Sequence, residues 1–340
     1  MKVTKKQKSN HLLVDYLIIG TGNIAKRHIL NILEKRPKCK FLIYKRTDSK
    51  HDEYFNKNRH LIINTINDVF PTNKQSAAII CSPASFHSSD IKKMLNKGFH
   101  IFVEKPFLVR SNHIKPLIRL SKIKKKVTHV GFNMRYTKRI LKMKQILKNY
   151  TNTIRDVKIK VFTDFRDWRK NKDFRTTVTF NRNLGGGVIN ELSHEVDYLV
   201  FLFGKPSHVK VNEILDKDIQ IDVEHHIESI FWYKNPELQI TLEANMLAKN
   251  NKRTCEVNLD NTKIKINHIS NNISITDKKM KNIKFDDDIS LSYKKEISHF
   301  IKSIENDEES ELSFAESLDT QNILNAMHSS LENNKKIRIQ

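Results

Sequence analysis

Residues 12–25 read Leu-Leu-Val-Asp-Tyr-Leu-Ile-Ile-Gly-Thr-Gly-Asn-Ile-Ala. The apolar run over 12–19 is typical of a strand buried on both faces, and it ends directly at Gly20. Residues 23–35 then carry apolar side chains at helical spacing, and Pro37 follows that pattern and ends it. A glycine-rich turn between a buried strand and a helix predicts a dinucleotide-binding unit.

The small residues of this turn each have a physical reason. Gly20 permits the tight turn, Gly22 lets the backbone approach a pyrophosphate, and Ala25 allows helix and strand to pack closely. The first N–H groups of the helix then face the phosphates. The residues expected to contact the cofactor here are Gly20, Thr21, Gly22, Asn23 and Ile24. The alternative is a turn that simply needs the positive φ of glycine.

The first part of the chain alternates strands with helices. Strands are predicted over 41–44, 77–81 and 100–103, and a helix over 89–97 is stopped by Gly98. This alternation indicates βαβ units and a parallel sheet.

The residues after the strand predicted over 41–44, the second strand of the chain, bear on the choice of cofactor. An acidic side chain there binds the ribose 2′-hydroxyl of NAD, and a nearby arginine accommodates the 2′-phosphate of NADP. This chain has Lys45 and Arg46, with no acid before Asp48. The sequence therefore favours NADP(H) over NAD(H) as the NAD(P) cofactor. The alternative is that Lys45 and Arg46 are ordinary surface residues of a basic protein.

Composition limits the class of protein. The 340 residues are enough for two domains, and 38% hydrophobic with 29% charged residues is typical of a soluble globular chain. No apolar run approaches the roughly 20 residues of a membrane span. No signal-peptide pattern follows the basic N-terminus, so we expect a cytoplasmic protein without a membrane partner. The three cysteines are scattered, which argues against a disulfide framework.

The formal net charge of +23 raises the question of a polyanionic partner. The lysines are spread along the chain, and the densest run, 122–126, has no interleaved aromatic residue. We therefore expect no nucleic-acid partner, and the charge steers an anionic cofactor or substrate. His225 and His226 are adjacent but have no third ligand at suitable spacing, so no metal site is expected.

Four more motifs follow the glycine turn in order: Ser82-Pro-Ala-Ser-Phe-His87, Glu104-Lys-Pro106, Gly131-Phe-Asn-Met-Arg135 and Gly185-Gly-Gly-Val-Ile-Asn-Glu-Leu-Ser-His194. Together the five motifs resemble the Gfo/Idh/MocA family of NAD(P)-dependent oxidoreductases over almost the whole chain. The resemblance implies an α/β fold with a doubly wound Rossmann domain over residues 1–130. It implies a substrate-binding and oligomerisation domain, with a large open and mostly antiparallel sheet, over residues 131–340. A homodimer or homotetramer is expected.

The resemblance also implies roles for matching residues. Lys105 takes the position of the catalytic lysine, and His194 takes that of the general acid/base. Many members have Asp-x-Gly-x-His, but the segment 190–194 lacks that glycine, and counted from Glu191 to His194 it is one residue shorter. Glu191 therefore takes the acidic position, with Asn190 as the alternative. The Glu-Leu-Ser-His-Glu-x-Asp-Tyr form resembles a branch associated with bacterial surface-sugar pathways.

The remaining site residues follow from the same motifs. Those expected beside the cofactor are Ser82, Pro83, His87, Glu104, Lys105 and Pro106, in addition to Lys45 and Arg46. Those expected beside the substrate are Lys105, Asn133, Arg135, Trp168, Arg169, Asn190 and His194. The basic and aromatic stretch around Trp168 suits an anionic or sugar substrate or the phosphates of the cofactor, and it equally suits plain loop packing.

His194 has carboxylates three residues to either side, at Glu191 and Asp197. Side chains at this spacing share one face of a helix, and a nearby carboxylate raises the pKa of a histidine and orients its ring. We expect this effect on His194. The acidic run Asp286–Asp288 is expected to be a solvated turn.

These residues predict hydride transfer between a nicotinamide and a carbinol or keto carbon of a sugar, nucleotide-linked sugar or cyclic polyol. In oxidation His194 takes the hydroxyl proton while Lys105 holds the oxygen. Two other hypotheses share the fold. A non-catalytic NAD(P)-sensing regulator would have lost the lysine or the histidine. An NAD-dependent glycosidase would show no net turnover of the cofactor.

Overall fold

The computed structural model describes residues 11–46, 55, 61–109, 114–150, 154–166, 173–216, 219–234 and 237–340. Trp168 and Arg169 lie outside these residues. The strands are β1 (Leu12–Val14), β2 (Tyr16–Ile19), β3 (Phe41–Tyr44), β4 (Leu61–Ile63), β5 (Val69–Pro71), β6 (Ala77–Ile80), β7 (His100–Glu104), β8 (Thr128–Gly131), β9 (Ile154–Asp164), β10 (His208–Glu213), β11 (His226–Tyr233), β12 (Leu238–Asn245), β13 (Leu247–Leu259), β14 (Lys263–Asn267), β15 (Asn272–Thr276), β16 (Met280–Lys284) and β17 (Ile337–Arg338). The α-helices are α1 (Asn23–Lys35), α2 (His87–Lys97), α3 (Ile114–Ile123), α4 (Lys138–Leu147), α5 (Val188–Glu191), α6 (Ser193–Phe203), α7 (Ile289–Asn306) and α8 (Leu318–Asn333).

The first sheet has six strands in the order β4-β3-β2-β6-β7-β8. All its neighbouring strands run parallel, which confirms the predicted Rossmann architecture. Helix α1 packs on it because its buried residues, Ala25, His28, Ile29 and Ile32, follow the helical period. Helix α2 ends at Gly98, which is left-handed with φ +91°.

The single strand predicted over 12–19 is wrong, because Asp15 divides it. The Asp15 carboxylate accepts a hydrogen bond of 2.8 Å from the Lys40 backbone N–H. The backbone N–H groups of Asp15 and Tyr16 both donate to the Lys40 carbonyl at 3.1 Å. Strand β1 consequently leaves the main sheet and pairs with β5.

The second sheet has nine strands in the order β16-β15-β14-β13-β9-β12-β11-β10-β17. Its neighbours are antiparallel except for β9 and β12, which confirms the large, mostly antiparallel sheet. Burial alternates along strands such as β12, so one face belongs to the core and the other carries polar side chains. Residues of α4, α6 and α8 complete this core.

Residues from the last third of the chain complete the core of the first domain. Ile297, Phe300, Ile301 and Ile304 of α7 pack with α1 on one face of the parallel sheet. Leu312 and Phe314 belong to the core on its other face.

The acidic run before α7 differs from its expected role as a solvated turn. Asp287 is buried and accepts a 2.7 Å hydrogen bond from the Lys138 backbone N–H, and Asp288 caps α7 through the Ser290 N–H. Across the described ranges, no helix is both long and apolar enough to cross a membrane. The same residues contain no group of three potential metal ligands.

Candidate active site

The glycine turn shapes the entrance to α1. Gly20 has φ +112°, and a Cβ there would lie 2.7 Å from the Cys81 carbonyl oxygen. A Cβ on Gly22 would meet nothing within 4 Å. Helix α1 begins at the next residue, with no acidic side chain in its first turn and no side chain bonded to its cap. Open space in front of an uncapped helix N-terminus fits a pyrophosphate.

A cleft of about 510 Å³ opens at this turn, along the carboxyl ends of β2, β3 and β6. The residues predicted beside the cofactor that line it are Gly20, Thr21, Gly22, Asn23, Ile24, Lys45, Arg46, Ser82 and Pro83. Lining residues that no motif indicated are Cys81, Phe165, Phe174, Thr177, Val178, Thr179 and Phe180. Glu191 closes the cleft from the second domain.

Arg46 is held in place by two neighbours. Its guanidinium pairs with the buried carboxylate of Asp90 and lies 4.4 Å from the ring centre of Phe86. Asp90 also accepts a 2.9 Å hydrogen bond from the Ser82 hydroxyl. No sequence motif indicated Asp90, which is an ordinary acidic residue on α2.

His87 links two loops rather than lining the cleft. Its Nε2 lies 2.8 Å from the Ser82 carbonyl oxygen, and its Nδ1 lies 3.0 Å from the Pro106 carbonyl oxygen. Burial lowers the pKa of His87 against the effect of these carbonyls. The side chain thus joins the loop after β6 to the loop after β7.

Lys105 and Glu191 meet across the two domains. The Lys105 ammonium donates to both the carbonyl oxygen and the carboxylate of Glu191, each at 3.0 Å. Both side chains are one-fifth exposed, so the pair reaches the surface of the site.

Glu104 faces the interior beside this pair. Its carboxylate accepts a 2.6 Å hydrogen bond from His28 Nε2 on α1, and its second oxygen lies 3.2 Å from the Lys105 backbone N–H. Glu104 therefore ties the backbone of Lys105 to the helix that starts at the glycine turn.

His194 lies in the first turn of α6 and is almost fully buried. Its Nδ1 is buried and has no hydrogen-bond partner in the described part of the protein. Burial lowers its pKa well below the usual value, and the charges of Lys105 and Arg253 lower it further. The expectation that a carboxylate raises this pKa is wrong, because Glu191 binds Lys105 and Asp197 binds Arg135. The ring is neutral at pH 7 and can accept a proton.

Three residues expected beside the substrate form internal contacts. The Asn190 amide donates to the Gly185 carbonyl, and its oxygen lies 3.1 Å from His328 Nε2. The Asn133 amide donates to Ser292, also in the interior. Arg135 binds both carboxylate oxygens of Asp197, at 2.7 and 2.8 Å. The structure thus brings Glu191, and not Asn190, to Lys105.

The glycine cluster allows the domains to approach closely. A Cβ on Gly185 would lie 2.4 Å from Val109 Cγ2 and 3.1 Å from the Cβ of Ala84. The following helix α5 then places Glu191 at Lys105.

A Rossmann domain with a glycine turn at an uncapped helix, joined to a second domain that brings Glu191 to Lys105, is the architecture of a dinucleotide-dependent oxidoreductase. Comparison with known families agrees. Residues 14–132 match the family model for the NAD-binding Rossmann fold of the Gfo/Idh/MocA oxidoreductases, and residues 154–339 match the model for their C-terminal α/β domain. The chain belongs to the Gfo/Idh/MocA family.

Curated relatives are distant and share only part of their length with this chain. The uncharacterized oxidoreductase C115.03 of Schizosaccharomyces pombe is 25% identical over 246 residues, which cover 71% of this chain and 66% of the relative. The uncharacterized oxidoreductase YrbE of Bacillus subtilis is 29% identical over 141 residues, 39% of each chain. The chain thus spans less than two thirds of these relatives.

Solved structures share the fold over nearly the whole chain. Levoglucosan dehydrogenase in complex with NADH has a TM-score of 0.80 at 16% identity, covering 96% of this chain and 99% of that one. The WlbA dehydrogenase of Bordetella pertussis, with NADH and UDP-GlcNAcA, has a TM-score of 0.78 at 16% identity, covering 97% and 98%. A putative NADPH-dependent oxidoreductase of Desulfitobacterium hafniense has a TM-score of 0.78 at 18% identity, covering 97% and 98%.

Proposed function

We propose that this protein is an NAD(P)-dependent dehydrogenase or reductase acting on a carbinol or keto carbon of a sugar, nucleotide-linked sugar or cyclic polyol. The observation that carries the proposal is the contact between Lys105 of the first domain and Glu191 of the second, at the cleft of the glycine turn. His194 lies three residues after Glu191, and the Lys105 charge contributes to its lowered pKa.

The two residues have complementary roles. An ammonium carries three N–H donors, and Glu191 accepts from Lys105 at two atoms, which leaves one donor for a substrate oxygen. His194 is neutral, so it takes the hydroxyl proton in oxidation and returns it in reduction. The bound nicotinamide supplies the hydride exchange. Glu191 orients Lys105 and closes the cleft.

A sugar-like substrate is supported by what structural relatives bind. Levoglucosan dehydrogenase was solved with NADH and levoglucosan, and WlbA with NADH and UDP-GlcNAcA. Residues 191–198 have the Glu-Leu-Ser-His-Glu-x-Asp-Tyr motif that resembles family members of bacterial surface-sugar pathways. This motif and these complexes support a cytoplasmic role in carbohydrate metabolism, in the biosynthesis of surface polysaccharides.

For the cofactor we propose a preference for NADP(H). Lys45 and Arg46 both line the cleft at the end of β3, where the 2′-phosphate of NADP is bound in Rossmann domains. Asp90 and Phe86 fix the Arg46 guanidinium there. Fluorescence titration with NADPH and NADH tests this preference, and tighter binding of NADH would contradict it.

We also propose a homodimer or homotetramer that assembles through the polar face of the nine-stranded sheet. This face carries the Lys160–Glu243 ion pair and the partly exposed Trp232. Light scattering would show a dimer or tetramer, and a monomer at micromolar concentration would refute the assembly.

The catalytic proposal is tested with Lys105→Met. Turnover of NADP(H) with a panel including levoglucosan and UDP-GlcNAcA should fall at least about a hundredfold, since the variant cannot hold the reacting oxygen. Binding of NADPH should be retained. Lys92→Met, an exposed position on α2, is the matched control. Near-normal turnover of Lys105→Met would refute the assignment.

A further inference from the structure

The positively charged side chain of Arg253 lies on the core-facing side of the nine-stranded sheet. It lies on β13 opposite Val161 of β9, a buried core residue, and two positions from buried Cys255. Its Nε donates a 2.7 Å hydrogen bond to the carboxylate of Glu195, which directly follows His194 on α6. The Glu195 side chain is fully buried, whereas that of Arg253 is 29% exposed. Arg253 therefore joins the sheet to the helix of His194 and also reaches solvent.

The contact of Arg253 is incomplete compared with that of Arg135. Arg135 binds Asp197 on the same helix through both Nε and a terminal nitrogen. Among the described residues, the side-chain hydrogen bonds of Arg253 use Nε alone. A guanidinium has five N–H donors in a planar fork, and its terminal groups suit a carboxylate or phosphate.

Buried polar atoms without a partner surround this pair. Within the described ranges, four such atoms are His194 Nδ1, Glu195 Oε2, the Tyr198 hydroxyl and His268 Nε2. The rings of Tyr198 and His268 are 5.6 Å apart. The Arg253 charge acts on both residues: it opposes the rise that burial causes in the pKa of Tyr198, and it adds to the fall that burial causes in the pKa of His268. Buried polar atoms usually have partners, so this concentration marks a polar cluster with unused hydrogen-bonding capacity beside His194.

A second cation lies at the same place. Arg27 of α1 stacks 4.4 Å from the ring centre of Tyr293 on α7. Burial raises the pKa of Tyr293, and the charges of Arg27 and Arg253 both oppose that rise. The carboxylates of Glu104 and Glu296 raise the pKa of Tyr293 in turn, so charges of both signs lie around this ring.

We infer that Arg253 binds an anionic group of the substrate, a carboxylate or a phosphate, and so selects acidic or phosphorylated sugars. This inference rests on the proposed dehydrogenase function, since it places the anionic group next to the carbon on which Lys105 and His194 act. Arg253 is a specificity-determining residue, with Glu195 positioning its fork.

Calorimetry on the protein loaded with NADPH tests the inference with paired probes. The carboxylate pairs are glucuronate against glucose and UDP-glucuronate against UDP-glucose, and the phosphate pair is glucose 6-phosphate against glucose. In at least one pair the anionic member should bind at least about tenfold more tightly, the scale of one charge-assisted hydrogen bond. The pair that responds identifies the anionic group.

Variants connect the preference to Arg253. The double variant R253Q/E195Q keeps the region neutral and should reduce the preference to about onefold, while R253K keeps the charge, loses the fork and should give an intermediate ratio. K205Q/D319Q removes a partly exposed ion pair between the residue after Gly204 and the start of α8, and it should keep the wild-type ratio. If the first variant fails to bind NADPH, R253K alone decides the question.

Two outcomes overturn the inference. One is equal binding within every pair, or binding of no anionic probe, by wild-type protein that binds NADPH. The other is an unchanged preference in R253Q/E195Q and R253K. Failure of the wild-type protein to bind NADPH is a different result, because it refutes the proposed function itself.

Discussion

Replacing Gly20 and Gly22 separately by alanine should separate the stability of the fold from the binding of the cofactor. At Gly20 the φ of +112° is strained for alanine, which costs about 1–3 kcal/mol. The added Cβ would also lie 2.7 Å from the oxygen and 2.9 Å from the carbon of the Cys81 carbonyl. This backbone yields poorly, and such overpacking costs a further 1–3 kcal/mol or so. We expect Gly20→Ala to lower the free energy of unfolding by about 2–6 kcal/mol.

Gly22→Ala should behave differently although it lies two residues away. Gly22 has φ −76°, which alanine adopts readily, and its Cβ would meet no atom within 4 Å. The stability should therefore change by no more than about 0.5 kcal/mol. The methyl group instead enters the space in front of α1 that a pyrophosphate requires, so the Kd for NADPH should rise about tenfold or more.

Urea denaturation and NADPH fluorescence titration measure the two effects on the same protein samples. Gly20→Ala should shift the denaturation midpoint strongly, and Gly22→Ala should shift chiefly the Kd. If Gly22→Ala destabilises the fold as much as Gly20→Ala, or binds NADPH as the wild type does, our account of the turn is wrong.

Three other changes test the electrostatics. Burial lowers the pKa of His100 to about 4, so between pH 6.5 and 4 only the unfolded state gains this proton. The free energy of unfolding should therefore fall by up to about 1.4 kcal/mol per pH unit as pH decreases through that range. His100→Gln should reduce this slope in urea titrations. Burial raises the pKa of Glu224 from 4.5 to about 7, so between these values only the unfolded state releases the proton. Stability should therefore fall by up to about 1.4 kcal/mol per pH unit as pH rises from 4.5 to 7, and Glu224→Gln should remove that slope. Asp90→Asn leaves Arg46 without its buried charged partner, so the free energy of unfolding should fall by about 1–3 kcal/mol. The ratio of NADPH to NADH affinity should fall as well. An unchanged ratio would count against Arg46 as a cofactor contact.

Local signals in the sequence predicted much of the fold. Strand β3, helix α1 and the stop of α2 at Gly98 depend on apolar periodicity and on one backbone conformation, which neighbouring residues determine. The break at Asp15 was missed because it depends on Lys40, a residue of another segment that supplies both a donor and an acceptor.

The site was predicted in its parts but not in its electrostatics. Family motifs indicated Lys105 and His194, yet the pKa of His194 is set by burial and by two cations that are far from it in sequence. The carboxylates three residues to either side of His194 suggested a raised pKa. That expectation fails because Glu191 binds Lys105 and Asp197 binds Arg135. Asp287 shows the same limit: its partners on α4 are not visible from a run of three aspartates.

The packing of α7 and of Leu312 and Phe314 into the first domain bears on the order of events at the ribosome. The parallel sheet emerges first but cannot bury both of its faces until residues beyond 300 have been translated and have left the exit tunnel. During that interval apolar surface of the nascent nucleotide-binding half stays exposed to water. Chaperone occupancy should therefore persist until late in synthesis, and a fragment that stops near residue 132 should aggregate rather than bind the dinucleotide.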